Sequence, residues 1–303
     1  MSLSDFVKKS QNWYTRAGVR ALPQIGLDLA HNVISRATSP FSSGESVYNR
    51  EWDVLVVLDA CRVDMYEDVV GECDSIWSVG GASPEWLANT FGSRNNSDTA
   101  YITGNPFSRE YHNSEFGLLD EVWQYGWDDE LGTVPAEPIT DRGISVAREQ
   151  THDRIILHYM QPHYPFIAEE DTIGYIDRSA FGGVNQDRNK DIWTSIKLGE
   201  ITDIERIWNA YLNNLRYVFD YVELLLENIG GTVVITADHG NALGEYGIWG
   251  HPVGTPIPEV RRVPWDIYHC EDSNEYSTKK WDRGQSTDDV EQRLANLGYV
   301  SKK

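Results

Sequence analysis

The stretch that decides the fold is Thr232-Val-Val-Ile-Thr-Ala-Asp-His-Gly240, followed closely by Gly250-His251-Pro252. Residues 232–236 form a short β-branched apolar run after two glycines, which predicts a buried strand. Asp238 and His239 then fall at its carboxyl end, where open α/β sheets place their ligand crevices. A carboxylate oxygen beside an imidazole nitrogen suits a divalent metal such as Zn or Mn. The same residues also fit an ordinary strand end at which Asp238 caps a turn.

A second apolar run repeats the pattern of a strand followed by an acid. Residues 54–58 are almost continuously apolar, which is typical of a strand covered on both faces, and Asp59 follows them. Burying Asp59, Asp238 and His239 together would be costly without a cation. The alternative is that Asp59 caps a helix while Arg62 or Asp64 forms a surface ion pair.

A third segment, residues 153–166, predicts a strand that leads into a loop bounded by prolines. Pro162 and Pro165 stiffen the loop around His163, and an imidazole there could contact an anionic substrate or protonate a leaving group. His158 lies inside the strand and is interpreted as a core residue or as a residue that supports the site from behind.

The order of these segments resembles the alkaline phosphatase superfamily, and most of all its sulfatase-like branch of sulfatases, phosphonate monoester hydrolases and phosphoglycerol transferases. The resemblance extends over residues 51–268 and implies an α/β three-layer sandwich with a mostly parallel central sheet flanked by helices. The residues that carry it are Asp59-Ala-Cys-Arg62-Val-Asp64, His163-Tyr-Pro-Phe166, Thr236-Ala-Asp238-His239-Gly240, Gly250-His251 and Arg262-Val-Pro264.

The resemblance also implies a metal site. Its first-strand acid and its Asp-His pair match Asp59, Asp238 and His239, while His163 and His251 match positions that line the substrate pocket and act in catalysis. Two-metal relatives carry an Asp four residues before the loop histidine, where this chain has Tyr159, so we expect a single ion. The expected ion is Mn or Zn, with Ca or Mg as further options, and Ser83 is expected to complete its ligands.

The nucleophile is expected at the start of a helix after the second strand, where relatives place a Thr, Ser or modified Cys. Ser83 before Pro84 has the form of a helix N-cap, which places it suitably and also explains it structurally. Aligning Pro84 and Gly92 with the family pattern puts Ala82 on the nucleophile position. A shift of one residue in this alignment restores Ser83, and we predict Ser83 as the nucleophile, with Ser78 in reserve.

Together these features predict a metal-dependent hydrolase or transferase that acts on phosphomonoesters or phosphodiesters through a hydroxyl. The activation pattern of formylglycine sulfatases, a Cys or Ser two residues before Pro and followed by Ser-Arg, is missing, and none of the three cysteines stands in such a context. Two alternatives stay open. One is a sulfatase that uses an unmodified hydroxyl, and the other is a catalytically silent member that binds a metal or a phosphorylated ligand.

The length, cysteine content and charge of the chain indicate where it is located and which partners it has. The chain has 303 residues, three cysteines without framework spacing and a formal net charge of -21. The cysteines favour a reducing compartment, and with no apolar run long enough to span a bilayer the cytoplasm is the expected location. A strongly acidic surface repels nucleic acid, which excludes it as a partner. The scattered acids and scarce lysines are also typical of adaptation to high salt, which we state as a hypothesis.

Three regions are predicted: an amphipathic helical extension over residues 1–50, a catalytic domain over 51–270 and a polar tail over 271–303. The extension is weakly basic and interrupted by Pro23. We favour its packing on the domain and keep open peripheral contact with the inner membrane surface.

Elsewhere the sequence predicts a strand over 98–103, irregular structure over 107–138, a lid over 169–189, an amphipathic helix over 203–228 and a terminal helix over 287–297. On the long helix, Asn213, Asn214 and Tyr217 are expected to face solvent rather than substrate. Sequence leaves the oligomeric state open.

Overall fold

A computed structural model describes residues 3–38, 44–92, 94–168 and 192–281. The predicted lid and terminal helix lie outside these ranges. The strands, in chain order, are β1 (Val54–Asp59), β2 (Asp74–Trp77), β3 (Asn96–Thr103), β4 (Phe116–Glu121), β5 (Arg154–Pro162), β6 (Gly231–Thr236), β7 (Ala242–Leu243), β8 (Trp249–Gly250) and β9 (Arg262–Cys270). The helices are α1 (Leu3–Ala17), α2 (Leu22–Thr38), α3 (Val63–Val69), α4 (Ser83–Phe91), α5 (Ala136–Glu149), α6 (Ile192–Lys197), α7 (Ile204–Glu227) and α8 (Pro258–Arg261).

Seven strands form one sheet in the order β2-β9-β6-β1-β5-β3-β4, and β7 pairs with β8 apart from it. The strands from β6 to β4 run parallel, while β9 is antiparallel to both of its neighbours. Helices flank this sheet, with α5 and α7 packing against β5. The predicted three-layer α/β fold is therefore confirmed.

The centre of the sheet is apolar because it is covered on both faces. Every residue of β1 is buried, and β5 is buried from Ile155 onward. Since β1 lies between β5 and β6 and runs parallel to both, the carboxyl ends of the three strands meet at one edge. The three segments with candidate site residues, which follow β1, β5 and β6, therefore lie together at that edge.

Two local predictions need correction. The region predicted as irregular contains β4, which pairs with β3 as an edge strand of the main sheet. On α7, the Asn214 side chain is fully buried rather than facing solvent. Its position explains this, because Asn214 follows Tyr211 by three residues and precedes Val218 by four, on the apolar face.

The N-terminal extension forms two helices, joined by a 3-10 turn over Gly18–Ala21. Pro23 lies in the first turn of α2, where the missing amide proton costs no hydrogen bond. The extension packs on the domain as favoured, because Trp13 is buried with Leu198 and the Arg16 guanidinium donates to Ser195 Oγ at 2.8 Å. In the described part of the chain, no helix is long and apolar enough to cross a membrane.

Candidate active site

The two strand-end acids and the adjacent histidine lie together. Asp59 is the last residue of β1, and Asp238 follows β6 by two residues. The His239 Nε2 atom lies 3.7 Å from Asp59 Oδ1 and 3.4 Å from Asp238 Oδ2, and all three side chains are fully buried. Asp59 does not cap α3, since Arg62 occupies the N-cap position of that helix.

His158, which the sequence analysis assigns to the core or to a supporting position, reaches the same point. It extends from β5, and its Nε2 lies 3.5 Å from Asp238 Oδ2. Candidate ligand atoms of Asp59, His158 and Asp238 all lie within 4.8 Å of one another. The site therefore offers two imidazoles to the same pair of carboxylates, and the sequence analysis assigns only one of them as a ligand.

In each carboxylate, one oxygen accepts hydrogen bonds that hold the group in place, and the other oxygen is directed into the site. Asn105 Nδ2 donates to Asp59 Oδ2 at 3.1 Å, while the main-chain amides of Ala60 and His239 donate to Asp238 Oδ1 at 3.1 and 2.8 Å. Asp59 Oδ1 and Asp238 Oδ2 are buried and accept no hydrogen bond from the described residues. Buried polar atoms without partners are rare in native proteins, which points to a cation as the partner of these two oxygens.

The electrostatics lead to the same conclusion. Burial, reinforced by the negative charge of Asp238, raises the pKa of Asp59, and the hydrogen bond from Asn105 opposes this shift. The pKa of Asp238 is lowered, because the adjacent His239 and His158 outweigh its burial. The two acids therefore favour only one negative charge between them, and a divalent ion would allow both to ionise.

The spacing of the buried atoms fits one ion. Metal–ligand bonds of about 2.0–2.2 Å in a tetrahedral zinc site place neighbouring ligand atoms roughly 3.3–3.6 Å apart. His239 Nε2 lies 3.7 Å from Asp59 Oδ1 and 3.4 Å from Asp238 Oδ2, and His158 Nε2 lies 3.5 Å from Asp238 Oδ2, so these three separations are close to that spacing. The donor set of two carboxylates and imidazole nitrogens suits Zn or Mn.

The histidines are held so that Nε2 is left as an acceptor. The Nδ1 atoms of His239 and His163 donate to the main-chain oxygens of Gly240 and Tyr164 at 2.7 and 2.5 Å. Because a carbonyl oxygen only accepts, Nδ1 carries the proton and Nε2 keeps a lone pair. Such a bond from the other ring nitrogen is typical of histidines that bind metals.

Ser83 is the first residue of α4, and Ala82 is the N-cap of that helix. The prediction that Ser83 caps the helix is therefore wrong. Its buried hydroxyl lies 3.3 Å from His239 Nε2. The structure thus removes the capping explanation of Ser83 and places its oxygen at the cluster of acids and histidines.

Ser78, the reserve nucleophile, has another role. Its hydroxyl donates to the main-chain oxygen of Asp238 and accepts from the Gly80 amide at 3.2 Å. It therefore joins the loop before α4 to the segment after β6. Ala82 has no side-chain atom that could attack a substrate.

The remaining two predicted residues lie beside this cluster. The His251 ring centroid is 4.4 Å from that of His239 and 5.0 Å from that of His163. The His251 Nδ1 atom contacts Asn241 Oδ1 at 3.0 Å. Burial is the main cause that lowers the pKa of His163 to about 4 and also lowers the pKa of His251, so both imidazoles are neutral at neutral pH.

The loop of His163 is fixed by a residue that the sequence analysis places in solvent. Asn214 Nδ2 donates to the main-chain oxygens of Pro162, His163 and Pro165 at 3.0–3.1 Å. Its Oδ1 accepts from the Ile167 amide at 2.9 Å. One buried amide group therefore anchors the whole Pro-bounded loop.

A comparison with protein families matches most of the chain. The family model described as Sulfatase matches residues 78–285, more than half of the chain. That range contains Ser83, His163, His251 and the Asp238–His239 pair, whereas Asp59 precedes it. No curated protein matched the chain.

Similar solved structures include phosphoethanolamine transferases. The integral membrane enzyme EptA from Neisseria meningitidis is 15% identical with a TM-score of 0.46, over 74% of this chain and 49% of that chain. The periplasmic domain of EptC from Campylobacter jejuni is 18% identical with a TM-score of 0.45, over 71% and 78%. The corresponding domain of EcEptC from Escherichia coli, in complex with Zn, is 14% identical with a TM-score of 0.42, over 75% and 76%.

The chain thus spans about half the length of the EptA protein. The family assignment rests on the match of the sequence to the family model, which covers the helix of Ser83, the His163 loop and the Asp-His pair. The chain belongs to the sulfatase family, within the alkaline phosphatase superfamily.

Proposed function

We propose that this protein is a metal-dependent hydrolase or transferase of phosphomonoesters or phosphodiesters, with Ser83 as the nucleophile. The observation that carries the proposal is the position of Ser83 Oγ, which is buried at the start of α4 and 3.3 Å from His239 Nε2. An adjacent buried pair of carboxylates, Asp59 and Asp238, would hold the ion together with His239 and His158.

The bound ion would supply Lewis acidity that lowers the hydroxyl pKa of Ser83 and neutralises charge on the transferred group. Ser83 Oγ forms a bond to phosphorus in line with the bond to the leaving alcohol, which breaks. A neutral imidazole of the His163–His251 pair takes up the serine proton and passes it to the leaving oxygen. Attack on phosphorus by water, or by a second alcohol, then releases Ser83.

The chain lacks the activation pattern of formylglycine sulfatases, which favours a phosphate ester over a sulfate ester as the substrate. None of its three cysteines stands in the pattern that is converted to formylglycine, so a sulfate ester would have to be attacked by an unmodified hydroxyl.

The first test measures hydrolysis of an aryl phosphate, a bis-aryl phosphate and an aryl sulfate with added Mn or Zn. Turnover of the phosphate esters is expected, and turnover of the sulfate alone would overturn the assignment.

The second test identifies the nucleophile. Ser83→Ala should lower kcat by at least about a thousandfold, and mass spectrometry should find phosphate on Ser83 of the quenched wild-type enzyme. Thr90→Val is the matched control, because Thr90 carries a buried hydroxyl on the same helix that makes no hydrogen bond to the described residues. Full activity in Ser83→Ala, or inactivity of the wild type toward all three esters with either metal, would contradict the proposal.

A further inference from the structure

The helix α2 is turned with its polar side toward the protein. Its Asp28 carboxylate accepts from Lys9 Nζ at 2.9 Å, and the His31 imidazole lies 3.0 Å from Thr255 Oγ1. Ser35, one turn further along, is buried beside His31. The inner face of α2 therefore makes polar contacts beside the apolar packing of Ile25 on the cluster of Trp13, Ala21 and Leu198.

The outer face of the same helix is apolar. Leu22, Leu29 and Val33 recur at intervals of seven and four residues, share one side of the helix and are all exposed, Val33 by 61%. The exposed large hydrophobic side chains of the described residues concentrate in this extension, and they are Val7, Tyr14, Val19, Leu22, Leu27, Leu29, Val33 and Ile34. We call Leu22, Leu29 and Val33 the outer apolar face of α2.

The outer apolar face continues into the loop that carries His251. Leu27 packs so closely on Gly247 that a Cβ there would lie 2.9 Å from its Cδ1 atom. Tyr246, beside Gly247 in the turn between β7 and β8, is 75% exposed, and Val253, two residues after His251, is 63% exposed. The apolar surface therefore reaches the rim of the site.

Charge favours one kind of occupant for this surface. The first 50 residues hold six basic and three acidic side chains, so the extension is net positive in a chain of net charge -21. Lys8 and Arg20 are exposed beside Val7 and Val19. An anionic bilayer would repel the rest of this protein and attract this segment, and exposed tyrosines suit the interface between lipid and water.

We propose that the outer apolar face, with Tyr246 and Val253, docks on the surface of an anionic lipid bilayer. The apolar side chains would enter the boundary between headgroups and acyl chains while α2 lies in the plane of the membrane. His251 and the site then lie next to the bilayer. Docking on the bilayer does not depend on the proposed function. Only the use of this position to reach a phosphoester carried on a lipid rests on the proposed function.

The test is flotation of the full-length protein with vesicles of phosphatidylcholine mixed with phosphatidylglycerol, in the salt at which circular dichroism shows the fold intact. Wild type should float with these vesicles and less with phosphatidylcholine alone. The double variant Leu29→Glu, Val33→Glu should lower the partition coefficient at least about tenfold, because two apolar side chains no longer enter the lipid. Both sites are exposed, so its circular dichroism and its hydrolysis of a soluble aryl phosphate should be unchanged.

Ile267→Glu is the matched control, because Ile267 lies on β9 and is 50% exposed, close to the 48% of Leu29. This variant should float like wild type. Absence of wild-type flotation from every vesicle, or equal flotation of the double variant, would overturn the proposal. A wild-type dimer that the double variant converts to a monomer, without vesicle binding, would also overturn it by showing that a second copy covers this face. Since flotation needs no turnover, an inactive protein that still floats would contradict only the proposed function.

Discussion

The side-chain amide of Asn214 donates a hydrogen bond of 3.0 Å to the main-chain oxygen of His163. Two further bonds of 3.1 Å reach the oxygens of Pro162 and Pro165. A helix residue remote in sequence thereby sets the position of a catalytic-site loop. Since Asn214 contacts the main chain of the loop rather than the imidazole, it is a positioning residue.

Replacing Asn214 with Asp should impair the loop, because a carboxylate would face three carbonyl oxygens that have lost their donor. We expect a loss of about 2–4 kcal/mol in the free energy of unfolding and a larger fall in kcat than in metal affinity. Urea denaturation, ester hydrolysis and metal titration measure the three effects. Asn213→Asp, on the neighbouring half-exposed position, should leave all three nearly unchanged. Equal behaviour of the two variants would contradict the positioning role.

How far the sequence predicted the site depends on what each residue type signals. Asp59 and Asp238 were predictable, because acids directly after buried runs stand out and parallel strands bring their ends together. His158 was not, since a histidine within an apolar run has the same appearance whether it packs or binds. Asn214 carries a signal for burial in its sequence position, because its spacing from Tyr211 and Val218 puts it on the buried face of α7.

The position of Ser83 also needed the structure. From the sequence alone, an N-cap role is a sufficient explanation of Ser83. Alignment with the family pattern places Ala82, rather than Ser83, on the nucleophile position. A shift of one residue decides which side chain points into the site, and no local propensity fixes helix starts to that precision. The strands β1 and β5, by contrast, are indicated by apolar runs, which in β5 only His158 interrupts.

The proposed metal site predicts a crossover in stability for Asp59→Asn. In chelator, this variant should be as stable as wild type or more so, because it removes one of two buried carboxylates whose charges repel. With Zn or Mn at about 100 times the dissociation constant, wild type should gain about 2.7 kcal/mol and the variant much less. Thermal unfolding with and without metal provides the measurement. Asp74→Asn, an exposed acid on β2, should gain as much as wild type. Loss of stability in chelator, with an unchanged response to metal, would argue against the site.

Ser78→Ala separates the two serines of the nucleophile segment. Removing a hydroxyl that donates to the Asp238 main chain should cost about 1–2 kcal/mol of unfolding free energy and lower activity only in part. The decisive readout is mass spectrometry of the quenched variant, which should still carry phosphate on Ser83. A phosphate found on Ser78 in wild type would reverse the assignment.

The acidic composition predicts stabilisation by salt. With a net charge of -21, repulsion within the folded state should fall as the Debye length shrinks from about 10 Å at 0.1 M to about 3 Å at 1 M. The midpoint of thermal unfolding should rise over this range. Chloride and sulfate at equal ionic strength should then act alike if screening is the cause, whereas a much larger effect of sulfate would indicate strengthened apolar burial. A midpoint that does not rise would contradict the hypothesis of adaptation to high salt.

His31 predicts a pH response of the N-terminal helices. Burial lowers the pKa of His31 below its ordinary value of 6.5; the charge of Asp28 opposes this, and those of Lys197 and Lys9 add to it. Because the folded state prefers neutral His31, its contribution to stability is present above pH 6.5 and is lost as the pH falls through the lowered folded value. After correction for the intrinsic pH dependence of amide exchange, exchange in α2 should therefore be faster in mildly acidic buffer, while exchange in β1 stays slow. His31→Gln should remove this pH dependence, and His269→Gln, at an exposed histidine of β9, should retain it. Exchange in α2 that is equally fast at both pH values would show that the contact between His31 and Thr255 does not hold this helix on the domain.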